Sequence, residues 1–297
     1  MFIRNLVVFS LVLLKFHNYS GCDDAPKKNE QPATTSASTK SNDSPPGYDL
    51  SKPGKIELGK ELSEISGIAY YPKDSSIFAI VDEDGLLYKI SLGQNHKIAY
   101  WRFDKKHDYE DMVLHDSTFY ILISNGNILK FRFSKDSLSK TLTRLPSEGN
   151  KINDFETLYY DDHYGKLVML CKECEDDQKK TVSSYGISVD SLTYTPGIVK
   201  INIDPLLEKL KVDKLHLKPS AAAINPVTKD LYILASENKL LVITNRQGVL
   251  KDVYQLDPTL FNQSEGLAFT PSGDMIISNE AGENNANILI FKYQKEE

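Results

Sequence analysis

The sequence has few of the residues that build common metal-binding and nucleophilic motifs. It contains 3 Cys and 6 His in 297 residues, and only Cys171 and Cys174 stand close together. Two ligands with no nearby His do not make a structural zinc site, and a thioredoxin-like motif would need a βαβ setting. No Gly-x-Ser-x-Gly elbow or Ser-His-Asp order is recognisable. We therefore interpret the cysteines as a loop pair that an export compartment could oxidise.

The sequence also lacks a block of basic residues and a second long apolar run. Its 35 Lys and Arg stand against 41 Asp and Glu, for a formal net charge of −6. This balance argues against nucleic acid as a partner. Beyond the first 21 residues, no apolar stretch approaches the length that spans a bilayer. The composition is otherwise that of a globular protein, 40% hydrophobic with 16 Tyr and 12 Phe.

Residues 1–21 have the pattern of a signal peptide. Arg4 supplies a positive charge, and residues 6–14 form a largely apolar run. This run is too short to span a membrane and fits the apolar part of an export signal. The segment Tyr19-Ser20-Gly21-Cys22 resembles the lipobox of bacterial lipoproteins. We predict lipidation at Cys22 and an exported, envelope-anchored protein; a plain signal peptide or a weak membrane anchor is the alternative.

Residues 22–53 are predicted to form a disordered tether. They are mainly Ser, Thr, Lys, Asn and Pro, with almost no large apolar residue. Such a segment cannot offset the entropy of its own ordering. It would hold a folded domain away from a membrane surface; the alternative is a disordered tail without that role, which differs only in whether Cys22 is acylated. The folded domain is expected over residues 54–297, which is long enough for a sizeable core.

A short motif, in which a polar residue is followed by an apolar strand, recurs five times in residues 54–297. Its clearest copy is Ser264-Glu265-Gly266-Leu267-Ala268. Aligning the copies places one residue of each in a single column: Ser66, Glu110, Glu156, Ser220 and Glu265. The steps along this column are 44, 46, 64 and 45 residues. A repeat in the mid-forties made of strands and turns is typical of a propeller blade, so five copies predict five blades.

The strand pattern also predicts how the propeller closes. The last blade stops before its outer strand, whereas Lys55 to Leu58 is a strand that precedes blade one. Pairing the two would remove an exposed sheet edge. The long step in blade three is explained by an insertion that carries Cys171 and Cys174, and Pro205 to Lys211 is the one helix expected. The predicted fold is all-β, a five-bladed β-propeller closed by an N-terminal strand.

The column residues predict a metal site at one mouth of the central channel. Innermost strands line that channel, and carboxylates brought together there repel one another unless a cation compensates. Calcium is favoured because it takes about six to eight oxygen ligands. A hydrated acidic channel, offset by Lys218 or by water, is the alternative. The predicted metal ligands are Ser66, Glu110, Glu156, Ser220, Glu265 and one further acid, Glu64.

The motifs resemble those of the SdiA-regulated (YjiK-like) family of exported bacterial proteins. The similar segments are Glu64-Ile65-Ser66-Gly67-Ile68-Ala69, Val81-Asp82-Glu83, Asp108-Tyr109-Glu110-Asp111, Asp154-Phe155-Glu156 and Ser264-Glu265-Gly266-Leu267-Ala268. The resemblance covers residues 54–297 and implies a five-bladed propeller with a bound calcium ion, distantly related to NHL-repeat and phytase-like propellers. The resemblance implies no established enzymatic activity. Blade four departs from the pattern, because Ser220 is followed by three alanines and gives no carboxylate.

Three functions from different classes remain open. The first is an envelope-tethered, extracytoplasmic, calcium-containing propeller that binds a small molecule or an envelope protein. The second is a calcium-dependent hydrolase, either phytase-like, an esterase or a lactonase. The third is a metal-free protein-interaction propeller, and the fold alone does not choose among them. We rank binding before hydrolysis because no catalytic base can be placed beside the metal. We expect a monomer that contacts a membrane only through its lipid.

Overall fold

The structure is a computed structural model that describes residues 44–93, 95–133, 138–146 and 153–295. The predicted signal peptide, Cys22 and residues 22–43 of the predicted tether lie outside the described residues. Within the described ranges, no helix combines the length and apolar character needed to cross a membrane.

The chain forms four-stranded antiparallel blades in succession. A first strand, β1 (Gly54–Glu57), and a 3-10 turn (Lys60–Leu62) precede blade one. Blade one consists of β2 (Ile65–Tyr71), β3 (Ser76–Val81), β4 (Leu86–Ser91) and β5 (Ile98–Arg102). Blade two consists of β6 (Tyr109–His115), β7 (Thr118–Ile123), β8 (Ile128–Phe133) and β9 (Leu138–Thr143).

Blade three carries the predicted insertion. Its segments are β10 (Asn153–Asp154), β11 (Thr157–Asp161), β12 (Lys166–Leu170), β13 (Glu173–Cys174), β14 (Thr181–Val182), β15 (Ser184–Ser188), β16 (Tyr194–Pro196) and β17 (Ile201–Asn202). The blade itself is β11-β12-β15-β16, while β10 pairs with β13 and β14 pairs with β17. A 3-10 turn (Glu175–Asp177) lies inside the insertion, and the helix α1 (Asp204–Leu210) follows the blade. Pro205 near the start of α1 has no N–H to leave unpaired, which suits the first turn of a helix.

Blades four and five complete the ring. Blade four consists of β18 (Ala221–Ile224), β19 (Leu231–Ala235), β20 (Leu240–Thr244) and β21 (Leu250–Gln255). Blade five supplies β22 (Ser264–Phe269), β23 (Met275–Asn279) and β24 (Asn287–Phe291), and β1 pairs antiparallel with β24 as its fourth strand. Gly54 stands opposite Ile290, and Glu57 stands opposite Asn287. The strand that precedes blade one thus closes blade five, as the sequence predicts.

Apolar side chains fill the spaces between neighbouring blades. Among the described residues, one cluster of buried apolar side chains lies at each junction between neighbouring blades. These side chains meet there because alternate residues of every strand face the adjacent sheet. Between blades one and two, for example, the rings of Phe78 and Phe119 meet edge to face with centroids 5.0 Å apart. The inner strands β2, β6, β11, β18 and β22 contact one another in a closed ring around the channel.

The inner strands approach each other closely where glycine follows the column residue. A Cβ on Gly67 would lie 2.6 Å from the Cα of Asp111 in blade two, and one on Gly266 would lie 2.7 Å from the carbonyl oxygen of Ser66. A larger residue at either position would push the inner strands apart.

The predicted boundary of the tether at residue 53 differs from the structure. Residues 44–53 pack on blades four and five, and the side chains of Tyr48 and Leu50 are buried in their shared core. The Tyr48 hydroxyl donates to the carbonyl oxygen of Gly273 at 2.6 Å and accepts from Nδ2 of Asn225 at 2.8 Å. These two apolar residues, set in an otherwise polar stretch, bury enough surface to order it. The folded unit therefore begins before residue 54.

Candidate functional site

The starts of the inner strands and the ends of the second strands gather at one end of the ring. A backbone hydrogen bond joins a residue one or two positions after the second strand to the residue two positions before the column residue. This bond recurs as Asp82 to Glu64 (3.1 Å), Ser124 to Asp108 (3.1 Å), Lys172 to Asp154 (2.9 Å) and Glu280 to Gln263 (2.8 Å). In blades one, three and five, side chains from both of these strands therefore line the same opening.

Local irregularities lie beside the column residues of blades one, two and five. The pairing of β2 with β3 shifts register between Ile65 and Ile68, and the same shift occurs beside Glu110 in blade two and Glu265 in blade five. A β-bulge re-aims the side chain of the bulged residue, and bulges are common beside functional sites. The repeat in the sequence is thus also a repeat in backbone geometry.

A cavity of about 530 Å³, which we call the mouth, opens at this end of the channel. The side chains that line it are all polar or charged. They are Ser66, Asp82, Asp108, Glu110, Asp154, Glu156, Lys172, Lys218, Ser220, Ser236, Glu237, Lys239, Gln263, Glu265 and Glu280. Five of the six predicted ligands are among them. The sixth, Glu64, is exposed; after burial and nearer acids, its charge also raises the pKa of Asp82 and of Glu280.

The two predicted serine ligands join neighbouring blades. Ser66 in blade one donates its hydroxyl hydrogen to the carbonyl of Glu110 in blade two. Ser220 in blade four donates to the carbonyl of Ser264 in blade five at 2.7 Å, and its oxygen accepts from the Ser236 N–H at 3.2 Å. Their hydroxyls are therefore engaged in holding the ring together.

Three carboxylates form the tightest acidic cluster of the mouth. One oxygen each from Asp82, Asp108 and Glu110 can be chosen so that all three lie within 4.8 Å of one another. The Oδ1 atom of Asp82 is buried and has no hydrogen-bond partner among the described residues. A buried carboxylate oxygen without a donor is costly, so this cluster calls for a proton or a cation.

Burial and mutual repulsion raise the pKa of the acids in the mouth. For Glu110, burial and then Glu156, Asp108 and Asp82 raise the pKa to about 9. Burial and then Asp108 raise the pKa of Asp82 to about 7. Burial, followed by the charge of Glu156, raises the pKa of Glu265 to about 8. Without a cation, the mouth therefore holds protons at neutral pH.

Lysines compensate the acids on the opposite side of the mouth. Lys172 pairs with Glu156 and lies 3.6 Å from a carboxylate oxygen of Glu237. Lys218 lies 2.8 Å from the other carboxylate oxygen of Glu237. The mouth is thus divided into an acidic side, formed by blades one and two, and a side where Lys172 and Lys218 balance carboxylates. The hypothesis of an acidic channel offset by Lys218 correctly anticipated a lysine here, but it missed Lys172.

The correct pairing register of the first and second strands shows which residues after the second strands are equivalent between blades. Asp82 and Asn279 both lie at the turn after a second strand, so an alignment of these turns alone would match them. In the structure, Ile65 faces Val81 and Ser264 faces Asn279, so the equivalent of Asp82 is Glu280. A shift of one residue along a strand reverses the face of its side chain, which is why the match failed.

The family profile of the SdiA-regulated proteins matches residues 46–283, which include parts of all five blades. The chain belongs to the SdiA-regulated family. The family and the five-bladed, all-β fold predicted from the sequence are thereby confirmed. No curated protein matches the sequence at a significant level.

Solved structures share the fold of this SdiA-regulated protein at low sequence identity. Glutaminyl cyclase from Myxococcus xanthus is 14% identical with a TM-score of 0.52, over 82% of this chain and 98% of that one. The PQQ-bound aldose sugar dehydrogenase from Streptomyces coelicolor is 11% identical with a TM-score of 0.50, over 84% of this chain and 100% of that one. At these identities, the likeness shows the fold alone.

A disulfide borders the mouth of this family member. Cys171 and Cys174 are bonded, with their Cα atoms 5.9 Å apart. Lys172 and Glu173 stand between them, and both approach partners at the mouth, Glu156 and Lys218 respectively. Disulfides persist in oxidising compartments, so the pair supports an exported protein.

Proposed function

We propose that this protein is an exported propeller that binds one calcium ion at the mouth and functions as a binding protein. The observation that carries this proposal is the cluster of Asp82, Asp108 and Glu110, together with the partnerless Asp82 oxygen. The ligand set differs from the one predicted from the sequence column. Only Glu110 is common to both. Glu156 is paired with Lys172, the two serines join blades, and Glu64 and Glu265 are not part of the cluster.

The chemistry of the cluster fits a hard divalent cation. Its three donors are carboxylates, which calcium and magnesium prefer over nitrogen or sulfur ligands. Calcium is favoured because its coordination shell is large and adaptable, whereas magnesium demands near-octahedral geometry. Burial and then mutual repulsion raise the pKa of Glu110 and of Asp82, and a divalent ion would offset that repulsion.

A calcium titration of the purified domain tests the proposal. Isothermal titration calorimetry on residues 44–297 should show one site, and Asp82→Asn should weaken it about tenfold or more, because a charged ligand is lost. The matched control is Asp154→Asn, which removes an acid from the position in blade three equivalent to that of Asp108. It should weaken binding less, since only the surrounding potential changes. An absence of calcium binding by the parent protein would exclude the site.

Generic ester and phosphate substrates extend the same experiment to hydrolysis. With calcium bound, we expect no turnover, in keeping with a binding role. Turnover that a chelator abolishes would replace this proposal with a calcium-dependent hydrolase.

We propose further that the protein is tethered to the cell envelope through a lipid on Cys22. The supporting observations are the export signal that precedes Cys22 and the disulfide of the domain. Replacing Cys22 with Ala should move the protein from the membrane fraction to the soluble fraction, with its unfolding midpoint unchanged. Wild-type protein that is already soluble and carries no lipid by mass spectrometry would contradict the tether.

A further inference from the structure

Lys239 is a cation of the mouth that the proposed calcium site does not use. It lies in the turn between β19 and β20, is half-buried and lines the cavity. Its ammonium donates to the carbonyl of Asn262, and no described carboxylate lies within 4.0 Å of it. Burial lowers the pKa of this lysine, and the charge of Glu265 works in the opposite direction. An ammonium has three donors, so Lys239 keeps donors for a ligand.

The charge of Lys239 is compensated less than that of the other two lysines. Lys172 and Lys218 both contact carboxylates, of Glu156 and Glu237. The acid whose charge acts on Lys239 is Glu265, and it does not form an ion pair with this lysine, because no described carboxylate oxygen lies within 4.0 Å of the ammonium. Lys239 is therefore the lysine of the mouth that no described carboxylate pairs with, in a cavity whose lining contains more acids than lysines.

We propose that the mouth binds a small monocarboxylate that carries several hydroxyl groups, with Lys239 holding its carboxylate. Sugar acids have this chemistry. The inference rests on the proposed function, because calcium at the cluster of Asp82, Asp108 and Glu110 would reduce the repulsion that a carboxylate meets on entering the mouth.

The other residues of the mouth define the rest of the ligand. Because the lining side chains are all polar or charged, an apolar ligand would leave them without hydrogen bonds. Carboxylates such as Asp154 and Glu156 accept hydrogen bonds from hydroxyl groups. A phosphate would bring a higher negative charge against these acids, and the lining contains no Arg to bind it through two bonds. The volume of about 530 Å³ falls within the range of small-molecule sites.

A matched pair of sugars tests the inference. D-galacturonate and D-galactose differ in the carboxylate, and each is titrated calorimetrically into the domain at saturating free calcium. We expect D-galacturonate to bind at least about tenfold more tightly than D-galactose, because a charged hydrogen bond to Lys239 is gained. Lys239→Met should abolish this preference. Lys229→Met, which removes an exposed lysine from the turn between β18 and β19 at the opposite face, should keep it.

The outcomes separate this inference from the proposed function. Calcium binding without any D-galacturonate binding would overturn the inference and leave the calcium site in place. Equal affinity for the two sugars, or an unchanged preference in Lys239→Met, would show that Lys239 does not recognise a carboxylate. The unfolding midpoint of Lys239→Met without ligand shows whether that variant folds, and the comparison of the two sugars on the parent protein decides the question independently. Calcium titration without sugar alone decides the proposed function.

Discussion

Glu156 and Lys172 form an ion pair that ties the start of the inner strand of blade three to the end of its second strand. Both side chains are more than four-fifths buried, with 16% and 17% of their side-chain surface exposed. Glu156 was predicted to be a metal ligand, because it occupies the same column as Glu110. The pair explains why equivalent positions in the repeat can have different partners, since blade three supplies its own cation after the second strand.

Breaking this pair from one side should cost more than removing both partners. Lys172→Met leaves Glu156 as an uncompensated acid among other acids, and we expect a loss of about 3 kcal/mol in the free energy of unfolding. Lys172→Met combined with Glu156→Gln should recover most of that loss, because the unpaired charge is gone. A double-mutant cycle from urea unfolding measures the coupling. Additive effects of the two single changes would show that the pair contributes nothing.

The stability of the metal-free domain should fall as pH rises. The folded protein raises the pKa of Glu280 to about 7 and that of Glu265 to about 8, mainly through burial, from ordinary values of 4.5. Between pH 4.5 and 8 the folded state therefore binds more protons than the unfolded chain, and the stability that these protons give is lost as pH rises through 7 and 8.

Thermal unfolding in a chelator checks this sign. The midpoint should be higher at about pH 6 than at about pH 9, and Glu265→Gln should flatten the dependence because it removes one of the protons involved. Saturating calcium should flatten it too, since a cation at the mouth lowers the pKa of nearby acids. A midpoint that rises between those two pH values in the chelator would contradict the assignment.

Trimming the N-terminal side should destabilise the domain in two steps. A chain that starts at residue 44 keeps every described contact and serves as the reference. Starting at residue 54 removes Tyr48 and Leu50 from the core between blades four and five, for a loss of about 4 kcal/mol or more. Starting at residue 59 also removes β1 and exposes the edge of β24, so cooperative unfolding should disappear. Equal midpoints for the chains that start at 44 and 54 would contradict a structural role for Tyr48.

The disulfide should make a modest contribution to stability. It closes a loop with a sequence separation of only 3, and the chain-entropy estimate for so short a loop is about 2 kcal/mol. Cys171→Ser combined with Cys174→Ser should lower the free energy of unfolding by that amount and leave the fold intact. Thiol titration of the purified wild-type protein should find this pair oxidised, and two free thiols in the unreduced protein would contradict the assignment.

The sequence predicted the ring well because the ring is a repeat. Spacing alone located the five blades, and the missing outer strand of blade five pointed to β1. The boundary of the tether was misplaced, because Tyr48 and Leu50 are only two apolar residues and their burial depends on a groove between two blades. A local pattern carries no information about such a groove.

The composition of the mouth was harder to predict than the fold. The column correctly brought Glu110, Glu156 and Glu265 to one cavity. It did not contain Asp82 and Lys172, which follow the second strands and meet the column only through the sheet register. An acid of the column can bind a cation only if no neighbouring lysine pairs with it, and that depends on the residues that follow the second strands. The metal ligands could therefore not be predicted from the column alone.

The contacts of Tyr48 determine how the domain would respond to a pulling force on its N-terminal side. The Tyr48 hydroxyl forms hydrogen bonds with Asn225 and Gly273. These residues lie in the turns that join the first and second strands of blades four and five, at the opposite end of those strands from the mouth. The Gly47 carbonyl also accepts a hydrogen bond from the N–H of Gln294, so both ends of the described chain are fastened at that face. A force that pulls on the chain before residue 44 acts first on these bonds and then along β1. The acids of the mouth lie beyond β1 on this path, so we expect a pulling force to break these bonds and the pairing of β1 with β24 before it changes the spacing of the acids.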